Sequence, residues 1–381
     1  MAMINWDEKR LGEVAPFKYG KSMTAEKRIS GKYDVYSSGG ICGLSDEILA
    51  NKGIIIGRKG SAGSLFYSKS PFFCIDTAFY IDEVTKNNDM LFVYYYMQIL
   101  NLKSYNNDAA VPGLNRNLAQ KLKIVIPKLS NQKRIADILS AYDDLIENNN
   151  RRIELLEKAA QDLYKEWFVR FRYPGYKTAK FENRIPVGWK VKKLEEVCQT
   201  IGGGTPSTSN QEYWDSGDIM WVTPTDITNN DCIVLTKVEK MITELGLKKS
   251  SAKLLPKYTI LMTSRATIGY FGLINHEVCT NQGFISVVPN DEYMRMYLLY
   301  NLIDRKEEII AKANGATYKE ISKSTFRKFK VIVPAVDILK QFNDCVIENI
   351  NLIGILKNQK ENLIKQRDML LPRLMSGKLE V

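Results

Sequence analysis

Four short motifs each occur twice along the chain, in the same order, and this duplication limits the folds that the chain can adopt. They are a Trp-x4-Leu motif, a hexapeptide from Cys to Phe, a heptapeptide from Lys to Pro, and an Ile-Glu-Asn motif. The first copies begin at Trp6, Cys74, Lys121 and Leu145, and the second copies begin at Trp189, Cys279, Lys328 and Val346. A single match arises easily by chance, whereas several in one order indicate an internal repeat. The chain is therefore predicted to contain two halves with one structural plan.

Each half opens with a segment of mixed character. Short β-rich runs are separated by clusters of Gly, Ser, Asn and Pro, which is typical of strands joined by turns. The predicted strands lie at 53–56, 72–81, 258–262 and 284–288, and apparent helices lie near 90–102 and 292–312. Each mixed segment is therefore predicted to form one α+β domain.

A long helix is predicted behind Pro127 and another behind Pro334. Their apolar side chains recur in steps of three and four positions, which keeps one seam facing a partner helix, as in a coiled coil. The predicted seam residues are Ile135, Ile138, Tyr142, Leu145, Ile153, Leu156, Ala160, Leu163 and Trp167 in the first helix, and Ile338, Phe342, Cys345, Leu352, Leu356, Leu363 and Leu370 in the second. Asn149 and Asn349 lie on or near the seams, where they either fix the register or face solvent.

These patterns predict an α+β fold with two similar domains separated by two long helices. If the helices form an antiparallel coiled coil, a pseudo-two-fold axis relates the two halves. The predicted boundaries are 1–128 for the first domain, 129–172 for the first helical region, 173–335 for a linker and the second domain, and 336–381 for the second helical region. A helix over 338–370 is about 50 Å long, which suits a DNA site whose halves are spaced by about one helical turn.

Charge and composition narrow the function. The chain has 54 Lys and Arg against 43 Asp and Glu, a net charge of +11, which favours an acidic partner such as nucleic acid. The only histidine, His276, leaves almost no basis for a His-based metal site or a Ser-His-Asp triad. No signal peptide or membrane span is evident, and the six cysteines have no regular spacing, so a soluble, cytoplasmic protein with reduced thiols is expected.

The stretch Ala-Pro-Phe-Lys-Tyr-Gly-Lys-Ser at 15–22 fits the loosest form of the nucleotide-binding P-loop. A P-loop requires a glycine-rich turn between a buried strand and a helix. Here the loop interior is bulky, and the repeated copy at 199–205 has no lysine in place of Lys21. ATP binding is therefore not expected, but Lys21 and Ser22 remain candidates for contacts with DNA phosphate.

The chain resembles the specificity subunit of Type I restriction-modification systems. The resemblance is carried by Ile-Pro at 126–127, Gln-Lys-Arg-Ile-Ala-Asp-Ile-Leu at 132–139, Asn-Asn-Asn-Arg-Arg-Ile at 148–153, Trp-Phe-Val-Arg-Phe at 167–171, Thr-Asn-Gln-Gly-Phe at 280–284, and Leu-Leu-Pro-Arg-Leu at 370–374 with Ser376-Gly377. It covers essentially the whole chain. Its most specific part lies in the helical segments.

The resemblance implies a subunit with no catalytic activity and no cofactor of its own. It implies two target-recognition domains that each read one half of a split sequence in double-stranded DNA, and helices that set the spacing and dock two methylation subunits. S-adenosylmethionine is then expected in the methylation subunits, and ATP and Mg²⁺ in restriction subunits where these are present.

Two loops that follow predicted strands hold the leading candidates for DNA contacts. Their sequences are Gly-Arg-Lys-Gly-Ser-Ala-Gly at 57–63 and Thr-Ser-Arg-Ala-Thr-Ile-Gly at 263–269. Basic and hydroxyl side chains on such loops can contact phosphates or base edges, and an ordinary hairpin loop is the alternative. The candidates are Arg58, Lys59, Ser61, Arg265 and Thr267.

Further candidates lie outside these loops. Asn115 and Arg116 precede the strand before the first long helix, and Tyr318 and Lys319 are their predicted counterparts. Amide side chains can read adenine, so Gln282 is included, although its motif suits a scaffold better. The remaining candidates are hydroxyl residues that could bind phosphate: Thr205, Ser207 and Thr223.

Two other classes of function stay open. An autonomous enzyme is disfavoured, because the sequence has no Asn-Pro-Pro-Tyr methylation motif, no Gly-x-Gly-x-x-Gly and no nuclease constellation. A coiled-coil adaptor whose domains bind proteins is the stronger alternative. The basic balance and the repeated basic loops favour DNA over protein as the partner.

Overall fold

The computed structural model describes residues 6–105, 113–315 and 319–381. The chain divides into two compact units, Met1–Ile146 with Asn362–Val381, and Glu147–Glu361. Both divisions fall inside the long helices. Each unit therefore combines one α+β domain with segments of both helices.

The first domain is built on two small sheets. Its elements are β1 (Asp7–Arg10), α1 (Leu11–Val14), β2 (Lys18–Tyr19), β3 (Tyr33–Ser37), β4 (Gly40–Ser45), β5 (Gly53–Gly57), β6 (Leu65–Ser68), β7 (Phe72–Cys74), β8 (Ala78–Ile81), α2 (Met90–Ile99), α3 (Arg116–Gln120) and β9 (Lys123–Ile126). One sheet has the antiparallel order β2-β8-β5-β6. The other has the order β4-β3-β7, in which β3 and β7 are parallel. Strands β1 and β9 pair separately.

After β9 the chain forms the first long helix, α4 (Leu129–Tyr164), which ends in a π-helical turn at Lys165–Val169. The second domain contains β10 (Phe181–Glu182), β11 (Ile185–Pro186), β12 (Lys190–Lys193), α5 (Leu194–Val197), β13 (Cys198–Gly202), β14 (Ile219–Val222), α6 (Pro224–Thr228), β15 (Lys240–Ile242), α7 (Glu244–Lys248), β16 (Ile260–Thr263), β17 (Phe271–Gly272), β18 (Cys279–Thr280), β19 (Phe284–Pro289), α8 (Arg295–Asp304), α9 (Lys306–Ala311), α10 (Lys323–Arg327) and β20 (Lys330–Val333). The second long helix is α11 (Val336–Met375).

The sheets of the two domains have the same strand order, which confirms the internal repeat. The match of the Cys-to-Phe motifs is wrong by one residue, because Thr77 and Gly283, rather than Thr77 and Gln282, accept from the equivalent N–H groups of Arg58 and Ser264. The order β13-β19-β16-β17 matches β2-β8-β5-β6, and β15-β14-β18 matches β4-β3-β7. The parallel pair β14 and β18 corresponds to β3 and β7, and β12 pairs with β20 as β1 pairs with β9. The predicted run 72–81 is two strands rather than one, and the predicted helix 292–312 is divided between α8 and α9.

The central strand of each domain is buried on both faces. In β5, the side chains of Ile54, Ile55 and Ile56 are fully buried. Successive side chains of a strand point to opposite faces, so Ile54 and Ile56 join one apolar cluster with Phe92 of α2, whereas Ile55 joins another with Phe72. Strand β16 is buried in the same way. This burial fixes the strand, and hence the start of the loop that follows it.

The helices pair in antiparallel fashion in each unit. In the first unit, the Nη1 of Arg367 donates to the Oδ1 of Asp143 at 2.6 Å, and the start of α4 shares an apolar cluster with the end of α11. In the second unit, the Nδ2 of Asn149 donates to the Oε1 of Gln359 at 3.2 Å. Asn149 is buried and Asn349 is half-buried, so Asn149 lies in the seam, where its bond to Gln359 links the two helices; that it fixes their register stays a prediction.

Part of the predicted seam is wrong. Ile138 and Leu145 are 36% and 50% exposed, and Cys345 is also exposed. The neighbouring Leu139 and Val346 are fully buried instead. Because apolar residues occupy adjacent positions, the seam can be drawn through either neighbour. In the folded chain Leu139 and Val346 are buried in place of Ile138 and Cys345.

A cluster of aromatic rings lies in the second unit at the end of α4. The ring of Phe342 is fully buried, and its centroid lies 4.9 Å from that of Phe168 and 5.9 Å from that of Trp167. Tyr164 and Tyr300 pack around the same ring at 6.3 and 6.5 Å. The aromatic end of α4 is therefore part of the core of this unit.

Two buried lysines connect α11 to a loop of the second domain. The Nζ of Lys357 donates to the side-chain oxygen of Asn230 and, at 3.2 Å, to the carbonyl of Val234. Lys360 forms an ion pair with Asp231. Both lysines are less than 10% exposed. We call residues 230–237 the docking loop, because its acceptors satisfy these two ammonium groups.

No helix among residues 6–105, 113–315 and 319–381 has the length and apolarity that a membrane span requires.

Candidate nucleic-acid interface

The loops that follow β5 and β16 have the same conformation. In the first, the N–H of Gly63 donates to the carbonyl of Gly57 at 2.8 Å, and in the second, Gly269 donates to Thr263 at 3.0 Å. Gly63 and Gly269 have φ values of +77° and +80°. We call residues 57–63 and 263–269 the reading loops. Position by position, Lys59 corresponds to Arg265 and Ser61 to Thr267, whereas Arg58 corresponds to Ser264.

Each reading loop is held between two other segments of its domain. The N–H groups of Arg58 and Lys59 donate to the carbonyl of Thr77 at 2.9 and 3.0 Å, and Leu114 donates to the carbonyl of Arg58 at 2.9 Å. In the second domain, Ser264 donates to a carbonyl of the turn before β19, at 2.8 Å, and the segment before α10 pairs with the loop on its other side. Backbone bonds thus fix both loops, while the side chains of Lys59 and Arg265 are exposed.

Replacing Gly63 by Ala is expected to destabilise the first unit. A left-handed backbone conformation costs an alanine about 1–2 kcal/mol, and a Cβ at Gly63 lies only 2.6 Å from the backbone nitrogen of Lys103. The matched control is Gly175→Ala, where φ is +87° but nothing lies within 4 Å. Urea unfolding is expected to show a larger loss for Gly63→Ala. Equal losses would mean that close approach to 102–103 does not shape the loop.

One aromatic side chain of the first domain contacts two of its basic residues. The guanidinium carbons of Arg58 and Arg116 lie 5.1 and 5.0 Å from the ring centroid of Tyr19. Tyr19 also packs edge-on against Phe79, with centroids 5.0 Å apart. The structure therefore brings together two predicted residues around one that the sequence analysis did not select. The sequence showed Tyr19 only as one of the bulky residues in the P-loop-like stretch at 15–22.

The P-loop-like stretch has a different local structure from a P-loop. It forms β2, and the N–H of Lys21 then donates to the carbonyl of Cys74 at 2.9 Å. The following helical turn is the short Ala25–Arg28. The side chains of Lys21 and Ser22 are exposed, so they remain candidates for phosphate contacts.

A cleft in the second domain gathers several predicted residues. It is lined by Pro224, Thr225, Thr228, Arg265, Ala266, Thr267, Asn281, Gln282 and Gly283. The hydroxyl of Thr205 donates to the Oε1 of Gln282 at 2.6 Å, which leaves the amide nitrogen of Gln282 as a donor. Asn281 accepts from the N–H of Gly283 at 2.9 Å, so its side chain shapes the turn. The cleft thus presents a guanidinium, a hydroxyl and an amide together.

Other predicted hydroxyl and amide groups have structural partners. Thr223 is the N-cap of α6, and its hydroxyl donates to Asp226 at 2.7 Å. Ser207 shares a hydrogen bond with Ser209 at 2.8 Å. Asn115 is the N-cap of α3 and accepts from the N–H groups of Asn117 and Leu118. These side chains are held in place by short-range bonds.

The predicted pairing of Asn115-Arg116 with Tyr318-Lys319 is wrong. Asn115 caps α3 and Ser322 caps α10 in the same way, so Arg116 corresponds to Lys323. Lys319 is exposed and its carbonyl accepts from Ala266 at 3.1 Å, beside the reading loop. Tyr318 lies outside the described residues. Lys323 is a basic residue that the sequence analysis missed, although the serine N-cap before it was a usable signal.

The buried thiols are poor nucleophiles. Burial raises the pKa of both Cys74 and Cys198 to about 12 and that of Cys279 to about 11, and a protonated thiol does not attack. In the part of the chain that the structure describes, no three His, Cys, Asp or Glu side chains come close enough to hold a metal ion. The interface offers donors and hydroxyls, which are binding groups.

The fold and these surfaces define a class of protein in which two related domains, each joined to segments of both long helices, expose basic, amide and hydroxyl groups on their loops. A family model described as the Type I restriction modification DNA specificity domain matches residues 3–158 and 186–366. The chain therefore belongs to the specificity-subunit family of Type I restriction-modification systems. The resemblance seen in the sequence is confirmed.

Curated relatives and a solved structure agree with this assignment. The chain is 35% identical over 192 residues to the MjaIX specificity subunit of Methanocaldococcus jannaschii, covering 48% of this chain and 44% of that relative. It is 26% identical to the HindI specificity subunit of Haemophilus influenzae, covering 70% of this chain and 71% of that relative. The crystal structure of a Type I S subunit from M. genitalium matches with a TM-score of 0.68 and 17% identity, covering 98% of this chain and 97% of that one. The structural match shows the shared fold.

Proposed function

We propose that this chain is the non-catalytic subunit that recognises the DNA sequence in a Type I restriction-modification complex, and that each domain reads one half of a bipartite site in double-stranded DNA. The observation that carries the proposal is the pair of equivalent reading loops, which expose Lys59 and Arg265 at the same position of two repeated domains. Two loops with the same backbone conformation but different side chains suit a DNA site whose two halves differ in sequence.

The charge of the chain supports DNA as the partner. A net charge of +11 and exposed basic groups on both reading loops attract phosphates, and phosphate contacts release counterions from the duplex. Backbone contacts position a protein on DNA, whereas contacts with base edges specify the sequence. The guanidinium and amide groups of the two surfaces are suited to base edges.

The long helices supply the remaining roles. We propose that they set the spacing between the half-sites and dock two methylation subunits. Apolar side chains that the helix pairs leave exposed support this role: Ile138, Leu145, Leu155, Ile355 and Met369. S-adenosylmethionine would then belong to the methylation subunits, and ATP and Mg²⁺ to restriction subunits where present, with the whole complex acting on DNA in the cytoplasm.

The test maps methylated adenines in DNA from cells that carry this chain together with its methylation partners. Methylation at a split motif that disappears when this chain is deleted is the expected result. Methylation without a split motif, or unaffected by the deletion, would sink the proposal. The matched control is the same strain with the deleted chain restored from a plasmid.

A second measurement separates DNA reading from the adaptor alternative. Binding of the assembled complex to a duplex is measured at increasing salt, and affinity is expected to fall by about 0.9 log unit per log unit of salt for each phosphate neutralised. If the complex does not bind DNA even at low salt, the result would instead favour a coiled-coil adaptor with protein partners.

A further inference from the structure

We propose that Tyr19 is a positioning residue of the first domain, which orients the guanidinium groups of Arg58 and Arg116 to read guanine in one half of the DNA site. This inference rests on the proposed function and adds a specificity-determining residue to it. It is carried by the arrangement of three side chains and by the absence of that arrangement in the repeated domain.

The ring of Tyr19 is 49% exposed and faces both guanidinium groups, at 5.1 Å for Arg58 and 5.0 Å for Arg116. A guanidinium over an aromatic ring is held by cation–π attraction, while its N–H edge stays available for hydrogen bonds. Phe79 packs edge-on against the Tyr19 ring, and the two ring centroids lie 5.0 Å apart. Tyr19 thus fixes two planar donor groups at an exposed surface.

The donors of these groups are only partly used. Arg58 donates from Nη1 to the carbonyl of Asp76 at 3.2 Å. The Nε of Arg116 is buried, so only the terminal nitrogens of this guanidinium can meet a base edge. Guanine presents two acceptors, O6 and N7, on its major-groove edge, and the fork of an arginine matches them bidentately. The surface therefore favours an acceptor-rich base edge over one that also carries a donor.

The second domain lacks this arrangement at the equivalent positions. Strand pairing places Gly202 opposite Ile285, where Tyr19 stands opposite Phe79. A Cβ added at Gly202 would lie 2.9 Å from the Nζ of Lys323, so a lysine occupies the space that the tyrosine ring fills in the first domain. With Ser264 in place of Arg58, no guanidinium pair can form there. At these equivalent positions the two domains therefore carry different side chains on the same backbone fold.

The experiment measures base discrimination by the assembled complex. Duplexes carrying the mapped split site are substituted one base pair at a time, and relative affinities are determined for wild type, Tyr19→Ala, Tyr19→Phe and Arg116→Lys. Tyr176→Ala is the matched control, since this tyrosine is 39% exposed in the linker after α4. Thermal unfolding of each variant is recorded alongside.

Tyr19→Ala is expected to lose discrimination at one or two guanine positions of a single half-site, by about 5- to 150-fold, with no change in the other half-site. Tyr19→Phe should retain discrimination because it keeps the ring. Arg116→Lys should lose discrimination while keeping the salt dependence, since lysine retains the charge but not the planar fork.

Three outcomes overturn the inference. One is unchanged discrimination in either Tyr19→Ala or Arg116→Lys, and another is a loss in Tyr19→Phe as large as that in Tyr19→Ala. The third is an equal loss in Tyr176→Ala. A wild-type complex that shows no preference for any split site would instead sink the proposed function, so the two failures are distinguishable.

Discussion

Replacing Phe342 by Ala is expected to lower the free energy of unfolding of the second unit by about 3–5 kcal/mol. Phe342 is fully buried, and its ring lies 4.9 Å from that of Phe168 at an interplanar angle of 85°. Such edge-to-face contacts contribute about 0.5–1.5 kcal/mol beyond area burial. The loss follows from the cavity left among rings of α4, α8 and α11. Urea unfolding followed by tryptophan fluorescence, with Trp167 at 5.9 Å as a local reporter, measures it.

The same helix provides a matched control. Ile355 is 63% exposed, and Ile355→Ala is expected to change stability by no more than about 0.5 kcal/mol. A loss for Phe342→Ala no larger than that for Ile355→Ala would contradict the packing of the helices in this unit. Because the helix pair belongs to the core of the domain, the variant should also weaken DNA reading by the second domain.

Replacing Arg265 by Ala is expected to remove about 1–3 kcal/mol of base discrimination in one half of the DNA site. The side chain is exposed on the second reading loop and lines the cleft with Thr267 and Gln282. Lys59→Ala, at the equivalent position, should affect the other half-site. Affinities for singly substituted duplexes, measured on the assembled complex, give the positions and sizes of both effects.

Lys177→Ala serves as the control for loss of charge, since Lys177 is exposed in the linker. It should leave base discrimination unchanged. If Arg265→Ala weakens all sequences alike and lowers the salt slope by about 1, then Arg265 contacts phosphate rather than a base. Effects of both loop variants on the same half-site would refute the assignment of one half-site to each domain.

The long helices were predictable because the three- and four-residue steps of their apolar side chains are a local signal, and the repeat was predictable because several motifs recur in one order. The paired reading loops were also found from the sequence, since each follows an apolar strand at matching places of the repeat. The seam was partly misplaced at Ile138 and Leu145, because apolar neighbours at 139 and 146 allow a second helical period. Packing, which the sequence pattern does not contain, decides between the two.

The composition of the candidate site was harder to predict. Tyr19, Arg58 and Arg116 are far apart in the sequence and meet only through sheet pairing. Lys323 was missed although it lies seven residues before Lys330 of β20, as Arg116 lies seven residues before Lys123 of β9, and although an N-cap residue precedes each of them. Contacts between distant segments depend on the fold, so no local pattern indicated them.

The docking loop constrains which domain these helices can carry. Lys357 and Lys360 belong to α11, but their acceptors at Asn230 and Asp231 belong to the second domain. A buried charge that loses its partner costs about 3–5 kcal/mol. A foreign domain grafted onto these helices must therefore bring its own acceptors to the same places, whatever bases it reads. If the second domain reads one half-site as proposed, a change of specificity by exchange of this domain requires acceptors for two lysines that are not part of the proposed reading surface.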